Sequence, residues 1–342
     1  MKLQGRLRAT LSLAILPLFL LFAMDLLLYA YVPGVYIWLA NHAPSINEDD
    51  NLRQERGLLA YQGNKKIFVI GLSHAKYSLD PDIINPLIPK GYQVYNLAMG
   101  NANAMEWSMA AQKIASANPY LVIWYGESYV IYWTWGNEQL LRTYDWRVAI
   151  HTLDSSEIAR NFEWHFLALV GQYNHIIRYR NSIRRVALSW GEGMMNSDEE
   201  AFALTGFHRF ISRGRNEDIF GGAPPPPFPL NTSQVDGNKA AFARFAETLR
   251  DRGVKFVFLY APTHSSFKAS FIEPGIEGKF SRFLVNMAET YTFDIARINV
   301  EDIENQDFIF YDQFHPNGNA YKLFSRRFAN FLSDYLQRLE ER

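Results

Sequence analysis

The sequence predicts an α/β fold: an open parallel sheet with helices on both faces. An N-terminal transmembrane helix precedes it, and a mainly helical insertion lies between the third and fourth strands. Three observations carry this. Short apolar runs rich in β-branched and aromatic residues alternate with helical patterns. The runs are nearly continuous rather than alternating, as strands covered on both faces are. The longest apolar stretch stands alone at the N-terminus, after a basic start.

That stretch comes first. Lys2, Arg6 and Arg8 precede an apolar run from Ala9 to Val32, interrupted by Thr10, Ser12, Pro17 and Asp25. A span needs about 20 apolar residues, and this run meets that length. A signal-peptide core is shorter, about 7–15 residues, and ends at a small-x-small cleavage site; no clean site precedes Pro33. Tyr29, Tyr31, Tyr36 and Trp38 sit at the far end like an interfacial belt, and Glu48, Asp49 and Asp50 follow. The positive-inside rule then keeps the N-terminus in the cytoplasm of a cell (inner) membrane and exports the rest. Asp25 is costly in lipid. It reads either as a packing site for another membrane protein or as a residue snorkelling near the end of the span. Residues 1–32 are thus the cytoplasmic N-terminus and anchor, and 33–64 a juxtamembrane linker. Residues 65–342 are the α/β domain.

The first strand is Lys65–Gly71, an apolar run closed by glycine. Further runs lie at Tyr92–Leu97, Tyr120–Tyr125, Lys255–Tyr260 and, less sharply, Thr292–Ile298. Residues 104–117 are Ala-rich and periodic. Residues 237–252 place Ala241, Phe242, Phe245, Ala246 and Leu249 on one face and end at Gly253, suited to a C-cap. Residues 318–339 form a last amphipathic helix. Residues 129–236 exceed what one crossover needs and form the insertion. Asp154-Ser155-Ser156-Glu157 reads as a capping box, with a long helical pattern after it to about Leu188. Pro224 to Pro227 is an extended polyproline segment.

Composition narrows the chemistry. The 342 residues include no cysteine, which excludes disulfide frameworks, thiolate zinc sites and cysteine nucleophiles. The net charge of −1 argues against a nucleic-acid binder driven by bulk charge. Ser73, in Gly71-Leu72-Ser73-His74, follows the first strand, where open α/β sheets bind ligands. Asp312-Gln313-Phe314-His315 precedes the last helix. A carboxylate three residues before an imidazole can orient the ring, which can then take a proton from a serine hydroxyl. Phe258 to His264 ends the fourth strand on the same rim, so His264 and Thr263 can reach substrate, or His264 is a satisfied loop histidine. A metal held by Asp312, His315 and His264 is conceivable but poorly supported, so no metal and no cofactor are expected. Arg178, Arg180, Arg184 and Arg185 share a broad helical face, either solvated or facing an anionic polymer or lipid headgroups. Trp124 is expected in the core; Trp133 and Trp135 are left open between core and sugar stacking.

These blocks resemble the SGNH (GDSL-type) hydrolase superfamily. The resemblance covers the strand-end blocks, not the insertion, and implies an SGNH/flavodoxin-like sheet. It makes Ser73 the nucleophile, Asp312 the orienting carboxylate and His315 the base. It assigns the oxyanion hole to the Ser73 N–H, to Gly100 in Asn96-Leu97-Ala98-Met99-Gly100, and to Ser128 in Gly126-Glu127-Ser128. The family has an Asn at that last position and an Asp where Leu72 stands. Asn101 or Asn103 can substitute for the missing amide. His74, Asn101, Glu127 and His264 are candidate substrate contacts. Anchored, exported members resemble accessory proteins of cell-envelope polysaccharide O-acylation, partnered by a multispanning membrane O-acyltransferase. The expectation is an O-acyltransferase, with acetyl the expected group, acting on an envelope polysaccharide. A solitary carbohydrate or lipid esterase and a non-catalytic scaffold or polysaccharide-binding subunit are the alternatives.

Overall fold

The computed structural model describes residues 19–28, 65–100, 102–132, 162–171, 173–178, 183, 232–264, 275–298, 309–310, 315–317 and 320–341. Residues 19–28 are helical (α1). No helix among the described residues is long and apolar enough to cross a membrane. Most of the apolar run at 9–32 lies outside the described residues, as do the Asp154–Glu157 capping box, the tetraproline, Trp133 and Trp135.

The domain alternates strand and helix in chain order. The strands are β1 (Lys65–Gly71), β2 (Tyr92–Asn96), β3 (Leu121–Gly126), β4 (Lys255–Tyr260) and β5 (Asp294–Arg297). The helices after α1 are α2 (Ser73–Ser78), α3 (Pro81–Ile84), α4 (Ala104–Ser116), α5 (Tyr129–Tyr132), α6 (Phe162–Gly171), α7 (His175–Arg178), α8 (Thr232–Asp251), α9 (Ile276–Tyr291) and α10 (Tyr321–Glu340). All strand pairs are parallel, in the order β2-β1-β3-β4-β5. The sequence runs at 65–71 and 255–260 coincide with their strands, and the others shift by one or two residues at an end. The helix expected from 237 begins at Thr232, inside the region read as insertion, and Gly253 follows it in the left-handed conformation with φ 66°.

Strand alternation builds two cores. Phe68, Ile70, Val122, Trp124, Phe256 and Phe258 face one side, under α4, α8 and α9. Ile67, Val69, Ile123, Tyr125, Val257 and Leu259 face the other, under α2, α3 and α10. Trp124 is fully buried against Phe242 and Phe245. Trp107 of α4 is buried on the same side. β1, β3 and β4 are buried on both faces, which is why their runs carry no period of two, whereas β2 alternates buried and half-buried residues. The chain leaves β1 outward to β2 and returns across it to β3. The turn-round lies at the C-terminal ends of β1 and β3, where a crevice for ligands opens.

Candidate active site

Gly71 ends β1 where no side chain fits. A Cβ there would stand 2.3 Å from the Tyr125 carbonyl oxygen and 2.9 Å from the Ala75 Cβ, and φ is 148°. This close approach lets the chain turn straight from the strand into α2, with Ser73 as its first residue. Leu72, at the usual place of a family Asp, is 2% exposed and belongs to the core under α4 and α8. Its side chain therefore anchors the turn by packing. As the first helical residue, Ser73 presents a backbone N–H that has no carbonyl four residues back.

Asn96, at the end of β2, holds α2 in place. Its Nδ2 donates to the carbonyls of Ala75 (2.9 Å) and Leu79 (2.8 Å), and its Oδ1 accepts from the Ala98 N–H at 3.1 Å. The Leu97 N–H then donates to Val69 O, and the Met99 N–H to Gly71 O. These bonds carry the β2 edge past the end of β1, and Gly100, four residues beyond β2, is buried. At the far side of α2, Ser325 of α10 donates to Ser78 O and accepts from the Asp80 N–H.

The C-terminal block comes back to this point. Phe310 and Pro316 form an antiparallel bridge, and the Asn317 N–H donates to Ile309 O at 2.9 Å. This pinned turn presents His315, 7% exposed, to Ser73. His315 Nε2 lies 2.8 Å from Ser73 Oγ, across 242 residues of sequence. Nδ1 is thereby left facing away from the serine, the position an orienting carboxylate takes in such pairs. Asp312 lies outside the described residues. Tyr77 stands one helical turn after Ser73, and its ring meets the His315 ring edge-on at 5.6 Å. The imidazole is thus held between a hydroxyl and an aromatic ring of the same short helix.

The remaining expected residues are placed as follows. The Ser128 hydroxyl donates a short hydrogen bond to Glu277 of α9. Its hydrogen is committed to that carboxylate. Asn103 caps α4, its Oδ1 accepting from the Met105 N–H, while Glu106 accepts from the Asn103 N–H. Asn101 lies outside the described residues. His74 is fully buried, its ring edge-on to Tyr125 at 5.6 Å. His264 is 6% exposed and packs edge-on against Phe310, beside the turn that carries His315. Glu127 is buried at the end of β3. Its carboxylate and that of Glu277 lie near Tyr260. Burial first, then these two charges, push the Tyr260 phenol above its ordinary value, opposed by the Ser281 hydrogen bond and by Arg297. The two carboxylates and the Arg297 guanidinium, 3.9 Å from the centre of the Tyr260 ring, thus gather at the β3–β4 side. Among the described residues no group of three or more acidic or histidine side chains is placed to hold a metal ion.

Sequence reasoning singled out Ser73 and His315 but not Tyr77, Glu277 or the structural role of Asn96. Tyr77 carried no clear signal: no helix was expected over residues 73–78, so its spacing of four from Ser73 marked no common face. Glu277 had none, because its contact with Ser128 spans 149 residues. The pair of Ser73 and His315 at a strand-end crevice is the arrangement of a serine nucleophile and its general base. No protein-family model and no curated protein matches the chain, so this reading stands on the residues themselves.

Proposed function

We propose that this protein is a serine-dependent acyl-transfer enzyme, anchored in the membrane and acting at the cell envelope. The carrying observation is the 2.8 Å contact between His315 Nε2 and Ser73 Oγ, at the C-terminal edge of a parallel sheet. The pair is far apart in sequence, and two pinned turns bring it together.

The chemistry runs in two balanced halves. Ser73 Oγ attacks an acyl carbonyl while its proton passes to His315 Nε2. The tetrahedral oxyanion is received by the N–H groups at Ser73 and Gly100. It collapses, the acyl–oxygen bond of the donor breaks, and His315 returns the proton to the leaving oxygen. In the second half an acceptor hydroxyl gives its proton to His315 and attacks the acyl-serine. The new ester forms, and Ser73 recovers the proton. A sugar hydroxyl as acceptor makes a transferase, and water makes an esterase. The protein transfers an acyl group, acetyl by preference, to an envelope polysaccharide, with a multispanning membrane O-acyltransferase supplying that group. The solitary esterase uses the same residues.

One observation favours the non-catalytic scaffold: Ser128, at the position of the family amide, spends its hydroxyl on Glu277. Losing one oxyanion donor typically costs about 10²–10³ in rate. The test separates the readings. A serine-reactive phosphonate is expected to label the full chain and not Ser73→Ala, and Ser73→Ala is expected to abolish acylation of the envelope polymer. Unchanged acylation in Ser73→Ala would make the protein a scaffold.

A further inference from the structure

Polarity is inverted in one part of the molecule. In α1 the only charged residue, Asp25, is 4% exposed, while Phe19, Leu20, Met24, Leu26 and Leu27 are 50–67% exposed. The described part of the insertion repeats this. His165 and Asn174 are 4% and 0% exposed, while Phe162, Phe166 and Tyr173 are 65%, 44% and 66% exposed. Of the ten exposed large hydrophobic side chains among the described residues, eight belong to α1, α6 and the turn into α7; Leu87 and Val285 are the other two. The α/β domain has the ordinary arrangement, with both apolar layers inside.

The two inverted segments are joined through their polar groups. Asp25 Oδ2 accepts from the His175 N–H at 2.9 Å, and Oδ1 from the Ile176 N–H at 3.2 Å. The His175 ring Nδ1 lies 3.3 Å from Oδ2. The carboxylate, read from the sequence either as a packing site for another membrane protein or as a snorkelling residue, accepts hydrogen bonds from this chain's own backbone. Polar groups paired inside and apolar groups outside is the arrangement of protein in lipid, where charged residues face the interior of a helix cluster and hydrocarbon covers the outside. An exposed apolar surface of this kind marks a site covered by lipid or by another protein.

We propose that the insertion segment 162–178 is seated in the lipid bilayer beside the N-terminal helix. Its Phe162, Phe166 and Tyr173 lie among acyl chains, and Asp25 and His175 form the polar interior between the two segments. The occupant of this apolar face is lipid because Asp25 joins the segment to α1, which belongs in sequence to an apolar run at 9–32 long enough to span a bilayer. Leu169 of α6 packs against the sheet core. The seated helix therefore ties the α/β domain to the membrane surface, rather than leaving it on a linker. The inference rests on reading the N-terminal run as an anchor and is independent of the chemistry at Ser73.

The natural chain has no cysteine, so single cysteines label uniquely. The full chain carrying Phe166→Cys, Tyr173→Cys, Leu20→Cys or Val285→Cys would be labelled with a small fluorophore. Each is then reconstituted, without other proteins, in phosphatidylcholine–phosphatidylglycerol vesicles containing a lipid with a nitroxide on its acyl chain. The expected result is loss of fluorescence at positions 166 and 173 equal to that at position 20, with little loss at 285. Quenching at 20 but not at 166 or 173, with those labels instead open to aqueous iodide, overturns the proposal and leaves the anchor standing; that surface would then await a protein partner. Absence of quenching at 20 as well overturns the anchor reading together with it. Agreement of positions 166 and 173 guards against a variant that fails to fold.

Discussion

The His315 ring has two neighbours on one helix, the Ser73 hydroxyl, which it would deprotonate in the proposed reaction, and the Tyr77 ring, which limits where it can turn. Tyr77 is a positioning residue, acting through His315. Tyr77→Ala is expected to slow phosphonate labelling of Ser73 by up to roughly 10²-fold, the order of loss that small misplacements of a reacting group bring. Tyr77→Phe keeps the ring and is expected to label at nearly the natural rate. Labelling that stayed fast in Tyr77→Ala would show that the ring does not hold the imidazole. Ser73 and His315 were legible in the sequence because each is a reactive type at a strand end or before a helix. Tyr77 was not, because a tyrosine in a short helix has the same sequence appearance whether it faces core or site.

At the scale of elements, α2 depends on its neighbours. It has six residues and no side-chain N-cap, too short to persist alone. Asn96 binds the Ala75 and Leu79 carbonyls, and Ser325 binds its end to α10. Asn96→Ala leaves buried carbonyls without this donor, and the expected loss is about 1–3 kcal/mol. Chemical denaturation of the detergent-solubilised full chain measures it, and slower labelling of Ser73 should accompany the loss. An unchanged midpoint would mean that packing alone seats α2. The strands were easier to read than this helix. Continuous apolar runs such as Lys255–Tyr260 announce burial on both faces, whereas the insertion's helices follow a pattern that lipid and protein interiors share.

Across the whole molecule, the end of α10 is clasped to the edge of the sheet opposite the site. Tyr92 and Lys65 both donate to Glu340, Lys65 at 3.0 Å. The Tyr92 and Lys65 hydrogen bonds hold the Glu340 carboxyl below the ordinary glutamate value. Burial, then the Glu340 hydrogen bond, push the Tyr92 phenol up to about 12. The sign follows from the lowered carboxyl. Its contribution to stability is complete above the ordinary value of about 4.3 and is lost as pH falls through the lower folded value. Glu340→Gln is therefore expected to lower the thermal midpoint at neutral pH and to reduce its decline on acidification; a parallel decline in both proteins would exclude a role for this clasp.

Some of this molecule was determined by sequence alone, because some of the physics is local. Continuous apolar runs closed by turns become strands, as at Lys65–Gly71 and Lys255–Tyr260. A glycine before Ser73 and an imidazole before the last helix mark reactive positions by their chemistry. Tertiary structure decided the rest. The order β2-β1-β3-β4-β5 brought Ser73 and His315 within hydrogen-bond reach, Glu277 took the Ser128 hydroxyl, and His175 and Ile176 took the Asp25 carboxylate. Each of these contacts joins residues more than a hundred positions apart, and its free energy comes from burial and pairing that no local periodicity encodes.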